Sequence, residues 1–207
     1  MDNGSCGPRR ESWGDYYRVT SGRPPRELLR QTLSRFEKSD GSSRTAIDLG
    51  CGAGIETMAL LEQGWSVRAI DQQPEAISAV TARASADHAS RLTTQTASFE
   101  NVELPPADLI WAGLSLPFCP PEHFPQLWRK ITESLRAGGR FAGDFFGVRH
   151  AWAGEKSMTF HTEEQVRALC APLRVEYFIA DRSYSRTVHL MRQPFVPPGN
   201  RADRVEG

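Results

Sequence analysis

The sequence predicts an α/β fold, a largely parallel sheet with helices on both faces, and three observations predict it. From residue 44 onward, short apolar strand-like runs alternate with segments of helical period. The joints between them are short and punctuated by glycine and proline. The first joint, Asp48-Leu49-Gly50-Cys51-Gly52-Ala53-Gly54, turns a strand into a helix through three glycines.

The elements follow in order. Residues 1–12 are glycine, serine and charge, and are expected to be a disordered tail. Residues 13–196 read as one domain, with 13–43 an amino-terminal lid and helix and 44–196 the core; residues 197–207 are a second tail. Trp13 to Tyr17 form an aromatic cluster too dense for a solvated tail. Pro24 and Pro25 fit a first helical turn, after which Leu28, Leu29, Leu33 and Phe36 recur at helical spacing to about Lys38. Asp40 to Ser43 break the pattern. Strands are expected at Thr45–Leu49, Trp65–Ile70, Leu92–Phe99, Ala107–Ala112 and Arg140–Phe146. Helices are expected at Ile55–Gln63, from Pro74 to about Ala86, and from Pro121 to Arg136. A last helix runs from the cap Thr162 to Cys170. Two further strands, Arg174–Ala180 and Thr187–Arg192, stand too close together for a crossover helix and should form an antiparallel hairpin.

Composition narrows the function. The 207 residues carry 25 basic and 25 acidic side chains, so no field of one sign gathers nucleic acid or an anionic membrane. No apolar run approaches the roughly 20 residues of a membrane helix. Met1 to Arg10 is polar, unlike a secretory signal. Cys6, Cys51, Cys119 and Cys170 are widely spaced, as free thiols of a cytoplasmic protein would be, and no metal site is expected.

The glycines of the first joint let backbone approach a ligand closely, and the start of the following helix offers N–H groups to a carboxylate or phosphate. Asp71 lies 21 residues after Gly50 at the end of the second strand, where a carboxylate can accept both hydroxyls of a ribose. A dinucleotide fingerprint wants its third glycine where Ile55 stands. Asp48 would repel a pyrophosphate, but it suits an ammonium or sulfonium ligand.

These residues resemble the class I S-adenosylmethionine-dependent methyltransferases. The resemblance rests on Asp48 to Gly54, Asp71, Asp108-Leu109-Ile110 followed by Leu116-Pro117-Phe118, and Leu135-Arg136-Ala137-Gly138-Gly139. The lead-in Trp13-Gly14-Asp15-Tyr16-Tyr17 with Arg23-Pro24-Pro25 is similar to the small single-domain, tellurite-resistance branch. The resemblance implies a Rossmann-like doubly wound sheet of strand order 3-2-1-4-5-7-6, its seventh strand antiparallel. It implies S-adenosylmethionine as cofactor and a small-molecule acceptor, with S-adenosylhomocysteine as product. It places Gly50, Cys51 and Gly52 at the methionine part, with Asp48 also in the cofactor site. Tyr16 and Tyr17 could close over the cofactor or over the acceptor as an amino-terminal lid, or instead staple the first helix. Asp71 would hold the ribose; Gln72, Ser98, Phe99 and Glu100 would meet the adenine, although the family's usual acid is missing from the 98–100 segment. Ala112, Gly113 and Ser115 would lie beside the reactive methyl group.

On the acceptor side, Asp144, His123 and His161 are candidates for proton transfer, and Tyr17, Phe118, Phe146 and Trp152 for acceptor contact. A soft nucleophile needs no base. The segment from Gly147 to Phe160 is too apolar for a plain surface loop and is a candidate lid. The absence of an Asn-Pro-Pro-Tyr-type motif at Ala112 to Ser115 argues against amide or adenine amino methylation. Two alternatives stay open: a nicotinamide- or nucleotide-binding oxidoreductase, and a non-catalytic cofactor-binding regulator.

Overall fold

The computed structural model describes residues 13–36, 43–181 and 186–192, the last seven as backbone only. Both expected tails lie outside the described residues. The fold is α/β, with an eight-stranded sheet and helices on both faces.

The strands are β1 (Thr45–Leu49), β2 (Ser66–Asp71), β3 (Leu92–Thr96), β4 (Ala107–Ala112), β5 (Leu135–Gly147), β6 (Phe160–His161), β7 (Arg174–Asp181) and β8 (Arg186–Arg192). The helices are α1 (Trp13–Thr20), α2 (Glu27–Leu33), α3 (Ile55–Glu62), α4 (Pro74–Arg83), α5 (Phe124–Ser134) and α6 (Glu163–Cys170). The sheet runs β3-β2-β1-β4-β5-β8-β7. β1 to β5 are parallel, whereas β8 is antiparallel to both β5 and β7. The short strand β6 was not legible in the sequence. It pairs with Phe146 and Gly147, which lie beyond the point where β4 ends opposite Gly143.

Alternation along each strand sorts its side chains onto two faces. Ile47, Ile110, Phe141 and Phe145 meet Phe124, Leu127, Trp128 and Ile131 of α5 and Val166 and Cys170 of α6. Ala46, Leu109, Trp111 and Ala142 meet Leu28, Leu29 and Leu33 of α2 and Leu60 and Leu61 of α3. Trp111, Phe141 and Phe145 are fully buried, and truncating any of them to alanine should cost about 3–5 kcal/mol.

Several boundaries move, each for a local reason. The aromatic lead-in is a helix, α1. α5 starts at Phe124 rather than Pro121, after a turn in which Phe124 N–H bonds the Pro120 carbonyl. It stops at Ser134 because Leu135 is already extended and pairs with Ala107. β3 ends at Thr96, and Ser98 to Asn101 form a turn. α4 ends at Arg83. Thr162 caps α6 in a reciprocal box with Gln165.

Candidate cofactor and acceptor site

The register of the parallel strands brings their carboxyl ends level. Asp48 lies opposite Trp111, Leu49 opposite Ile70, Asp71 opposite Thr96, and Ala112 opposite Gly143. In an open α/β sheet this edge is where ligands bind.

The glycine turn is built by β2 as much as by its own residues. Gly50 and Cys51 N–H groups both bond the Ile70 carbonyl, at 2.8 and 3.0 Å. Gly50, Gly52 and Gly54 all take left-handed φ, at 82°, 51° and 77°, a region other residues rarely enter. A Cβ on Gly50 would lie 2.3 Å from that of Ser115, and one on Gly52 would lie 3.3 Å from the Tyr17 ring. The turn is therefore clamped between the loop after β4 and helix α1.

Asp71 is nearly buried, and its two oxygens accept the N–H groups of Gly52 and Gln73, each at 2.9 Å. Burial pushes its carboxyl up, against the pull of these N–H groups. A carboxylate offers about four acceptor positions, so room remains for further donors. Asp48 is buried under the turn and accepts the Thr57 hydroxyl at 2.6 Å. Burial raises its carboxyl to about 7, with Glu56 and Asp71 adding to the rise. Two buried acids this close together suit a ligand that brings hydroxyls and positive charge. The residues thus fit the cofactor that the sequence implies. Cys51 is buried, and burial keeps its thiol protonated.

Tyr17 rather than Tyr16 lies on the glycine turn. Tyr17 is buried, and burial followed by the Asp71 charge raises its hydroxyl, leaving a neutral donor. Tyr16 is 46% exposed. Helix α1 is held in place by Arg23, which follows it and forms a bidentate pair with Glu56 of α3 at 2.6 and 2.7 Å. The Arg26 N–H joins the same carboxylate at 3.1 Å.

The residues expected on the adenine side, Ser98 to Glu100, follow Ala97, whose N–H bonds the Asp71 carbonyl at 3.0 Å. Glu100 is held low by the Ser98 hydroxyl, with His123 contributing. Phe99 packs against the core, and Gln72 is exposed beside Asp71. After β4, Ala112 is buried and Gly113 faces the Trp111 indole. Ser115 donates to the Leu49 carbonyl.

The three proton-transfer candidates are dispersed. Asp144, fully buried in β5, accepts the Leu114 N–H at 2.9 Å. His161 is caged by Phe124 and Phe145 on the α5 face; burial lowers it to about 4, and its Nδ1 has no partner among the described residues. His123 stands at the start of α5 near Glu100.

The acceptor-contact candidates, by contrast, join a continuous aromatic strip. Trp13 stacks on Tyr17 and meets Phe118 edge-on at 5.1 Å. Phe118 leads to Trp152, and Trp152 to Phe146 and His150. The Gly147 to Phe160 segment is tied down at its end, where Thr159 bonds the carbonyls of Pro117 and Cys119. Trp13 as a wall residue, the Asp48–Thr57 bond, the Arg23–Glu56 clamp and the left-handed Leu114 all escaped sequence reasoning. The Arg-Pro-Pro lead-in was a signal for the clamp, but nothing in the sequence named its partner. No group of three or more metal-ligating side chains occurs among the described residues.

Residues 46–139 match the model of a family described as a methyltransferase domain. No curated protein matches the chain in sequence. Several solved structures share its fold. One is a methyltransferase in complex with the Trm112 methyltransferase activator from Haloferax volcanii, 18% identical with a TM-score of 0.69, covering 87% of this chain and 95% of that one. Another is the N-methyltransferase NodS from Bradyrhizobium japonicum WM9, 17% identical with a TM-score of 0.64, covering 87% and 98%. A third is the [4+2]-cyclase SpnF, 14% identical with a TM-score of 0.65, covering 82% and 80%. At such identities the likeness is one of fold. The matches give the broad class and do not single out the tellurite-resistance branch.

Proposed function

We propose that this chain, whose residues 46–139 match the model of a methyltransferase domain, transfers the methyl group of S-adenosylmethionine to a small-molecule acceptor with an apolar or aromatic body. The observation that carries the cofactor half is the bond from the Gly52 N–H to Asp71, which locks the glycine turn to the acid of β2 inside the matched segment. The acceptor half is supported by the aromatic strip from Trp13 through Phe118 to Trp152, whose members are half-buried rather than sealed in the core.

S-adenosylmethionine, when bound, supplies a methyl group on a sulfonium leaving group. The chain's own residues supply binding and alignment. Gly50, Cys51 and Gly52 would hold the methionine part over Asp48, and Asp71 the ribose. Gln72, Ser98, Phe99 and Glu100 would border the adenine, and Ala112, Gly113 and Ser115 the methyl group. Tyr17 would close the turn from α1, with Tyr16 at the rim. Phe118, Phe146 and Trp152 would contact the acceptor. Burial that lowers His161 to about 4 makes it a weak base, and a soft nucleophile needs none. The lead-in that resembles the tellurite-resistance branch supports soft nucleophiles as one acceptor class to try. No described helix is long and apolar enough to cross a membrane, and we place the enzyme in the cytoplasm.

Methyl-labelled S-adenosylmethionine, offered with a panel of phenols, thiols, amines and carbon acids, tests the reading. The expected result is label transfer to one class, lost in Asp71→Ala. Binding without transfer to any class would favour a regulator, or chemistry of another kind on the same fold.

A further inference from the structure

We propose that Asp144 is a positioning residue: it holds the loop after β4 in a left-handed turn, and through that loop it fixes the glycine turn that binds the cofactor. The proposal rests on the methyltransferase reading only for its binding readout.

Asp144 lies inside β5 with no exposed surface, and its Oδ2 accepts the Leu114 N–H at 2.9 Å. Among the described residues, Leu114 is the one residue other than glycine with positive φ, at 57°. A leucine rarely adopts that conformation, and it persists where surrounding contacts impose it. A carboxylate accepting the N–H is such a contact, and a charged acceptor makes it a strong one.

The backbone on both sides is shaped to allow it. A Cβ on Gly143 would lie 2.7 Å from the Ala112 carbonyl oxygen, so the glycine lets β5 close against the end of β4 and brings Asp144 within reach. On the far side of Leu114, Ser115 donates its hydroxyl to the Leu49 carbonyl and fills the space a Gly50 side chain would need. A chain of direct contacts therefore runs from Asp144 through Leu114 and Ser115 to Leu49 and Gly50. Asp144 itself faces the Leu114 backbone, which is why it acts on the site through the loop. The proton-transfer role expected from its sequence position gives way to this one.

The test is a thermodynamic cycle on S-adenosylhomocysteine affinity, with Leu114 amide exchange as a second readout. Asp144→Ala should weaken binding by at least about tenfold, and Asp144→Asn, which keeps an acceptor oxygen, should recover most of that loss. In a Leu114→Gly background, where the turn costs nothing, Asp144→Ala should lose less than about threefold. In the unsubstituted protein the Leu114 amide should exchange slowly, and in Asp144→Ala it should exchange fast while core amides stay protected. Equal losses in both backgrounds would overturn the proposal, as would a fast-exchanging Leu114 amide in the unsubstituted protein. If S-adenosylhomocysteine does not bind at all, the methyltransferase reading fails, and the amide exchange still decides the role of Asp144.

Discussion

Two aspartates at the carboxyl edge of the sheet show how the same residue type is set to different tasks by burial. Asp71 keeps contact with the surface and braces the turn with both oxygens. Asp48 is sealed beneath the turn with the Thr57 hydroxyl, and burial pushes its carboxyl up to about 7, from the ordinary aspartate value near about 4. Between those values the folded chain holds a proton that the unfolded chain has lost. The Asp48 contribution to stability is therefore present at low pH and is lost as pH rises through about 7. A ligand carrying positive charge favours the ionised form, so affinity should run the opposite way. Calorimetric titration with S-adenosylmethionine at pH 6 and pH 8 should find tighter binding at pH 8, with the difference reduced in Asp48→Asn. Equal affinities at the two pH values in the unsubstituted protein would refute the electrostatic role given to Asp48.

Among the elements, α1 joins the cofactor turn to the aromatic strip. Its Tyr17 covers Gly52 and its Trp13 reaches Phe118. Tyr17 packs the helix on Ala53, Ile55 and Ala76, and just past its end the Arg23–Glu56 pair anchors the chain, with Glu56 nearly buried and Arg23 about a quarter exposed. Removing one partner of a fully buried pair costs roughly 3–5 kcal/mol. With Arg23 partly solvated, Arg23→Ala should cost about 2–3 kcal/mol, read as a lower denaturation midpoint. It should also weaken cofactor binding by freeing Tyr17; full affinity in a destabilised variant would detach α1 from the site. The sequence showed the aromatic lead-in and the prolines after it, but not that the lead-in is helical. Its eight residues include glycine and two tyrosines, too short and mixed a stretch for period to declare itself. β6 was hidden for a similar reason: two residues have no period, and their pairing depends on where β4 happens to end.

At the scale of the molecule, the parallel core was legible because its central strands β1 and β4 are largely apolar on both faces and most helices have their own stop. In β4, Leu109 and Trp111 meet one helical layer, and Ile110 and Ala112 the other. The glycine turn and its bracing acid were legible because glycine at a positive φ and an acid one strand away leave fixed marks in sequence. The aromatic strip was legible only as separate residues, because its members come from α1, β5 and the loops after β4 and β5, and only the fold brings them together. Phe118 and Trp152 are 34 positions apart yet neighbours in the strip. The bond from the Leu114 N–H to Asp144 joins residues 30 positions apart and cannot be read from a linear chain.

Under the proposed function, the turn from Asp48 to Gly54, braced by Asp71, binds the S-adenosyl group. Equilibrium titration of S-adenosylhomocysteine into the unsubstituted protein and into Asp71→Ala tests it most directly. Losing two hydroxyl bonds to a charged acceptor, at roughly 1.5–3 kcal/mol each, predicts binding weakened by more than about a hundredfold in the variant. Identical dissociation constants for the two proteins, or no binding to the unsubstituted one, would contradict it.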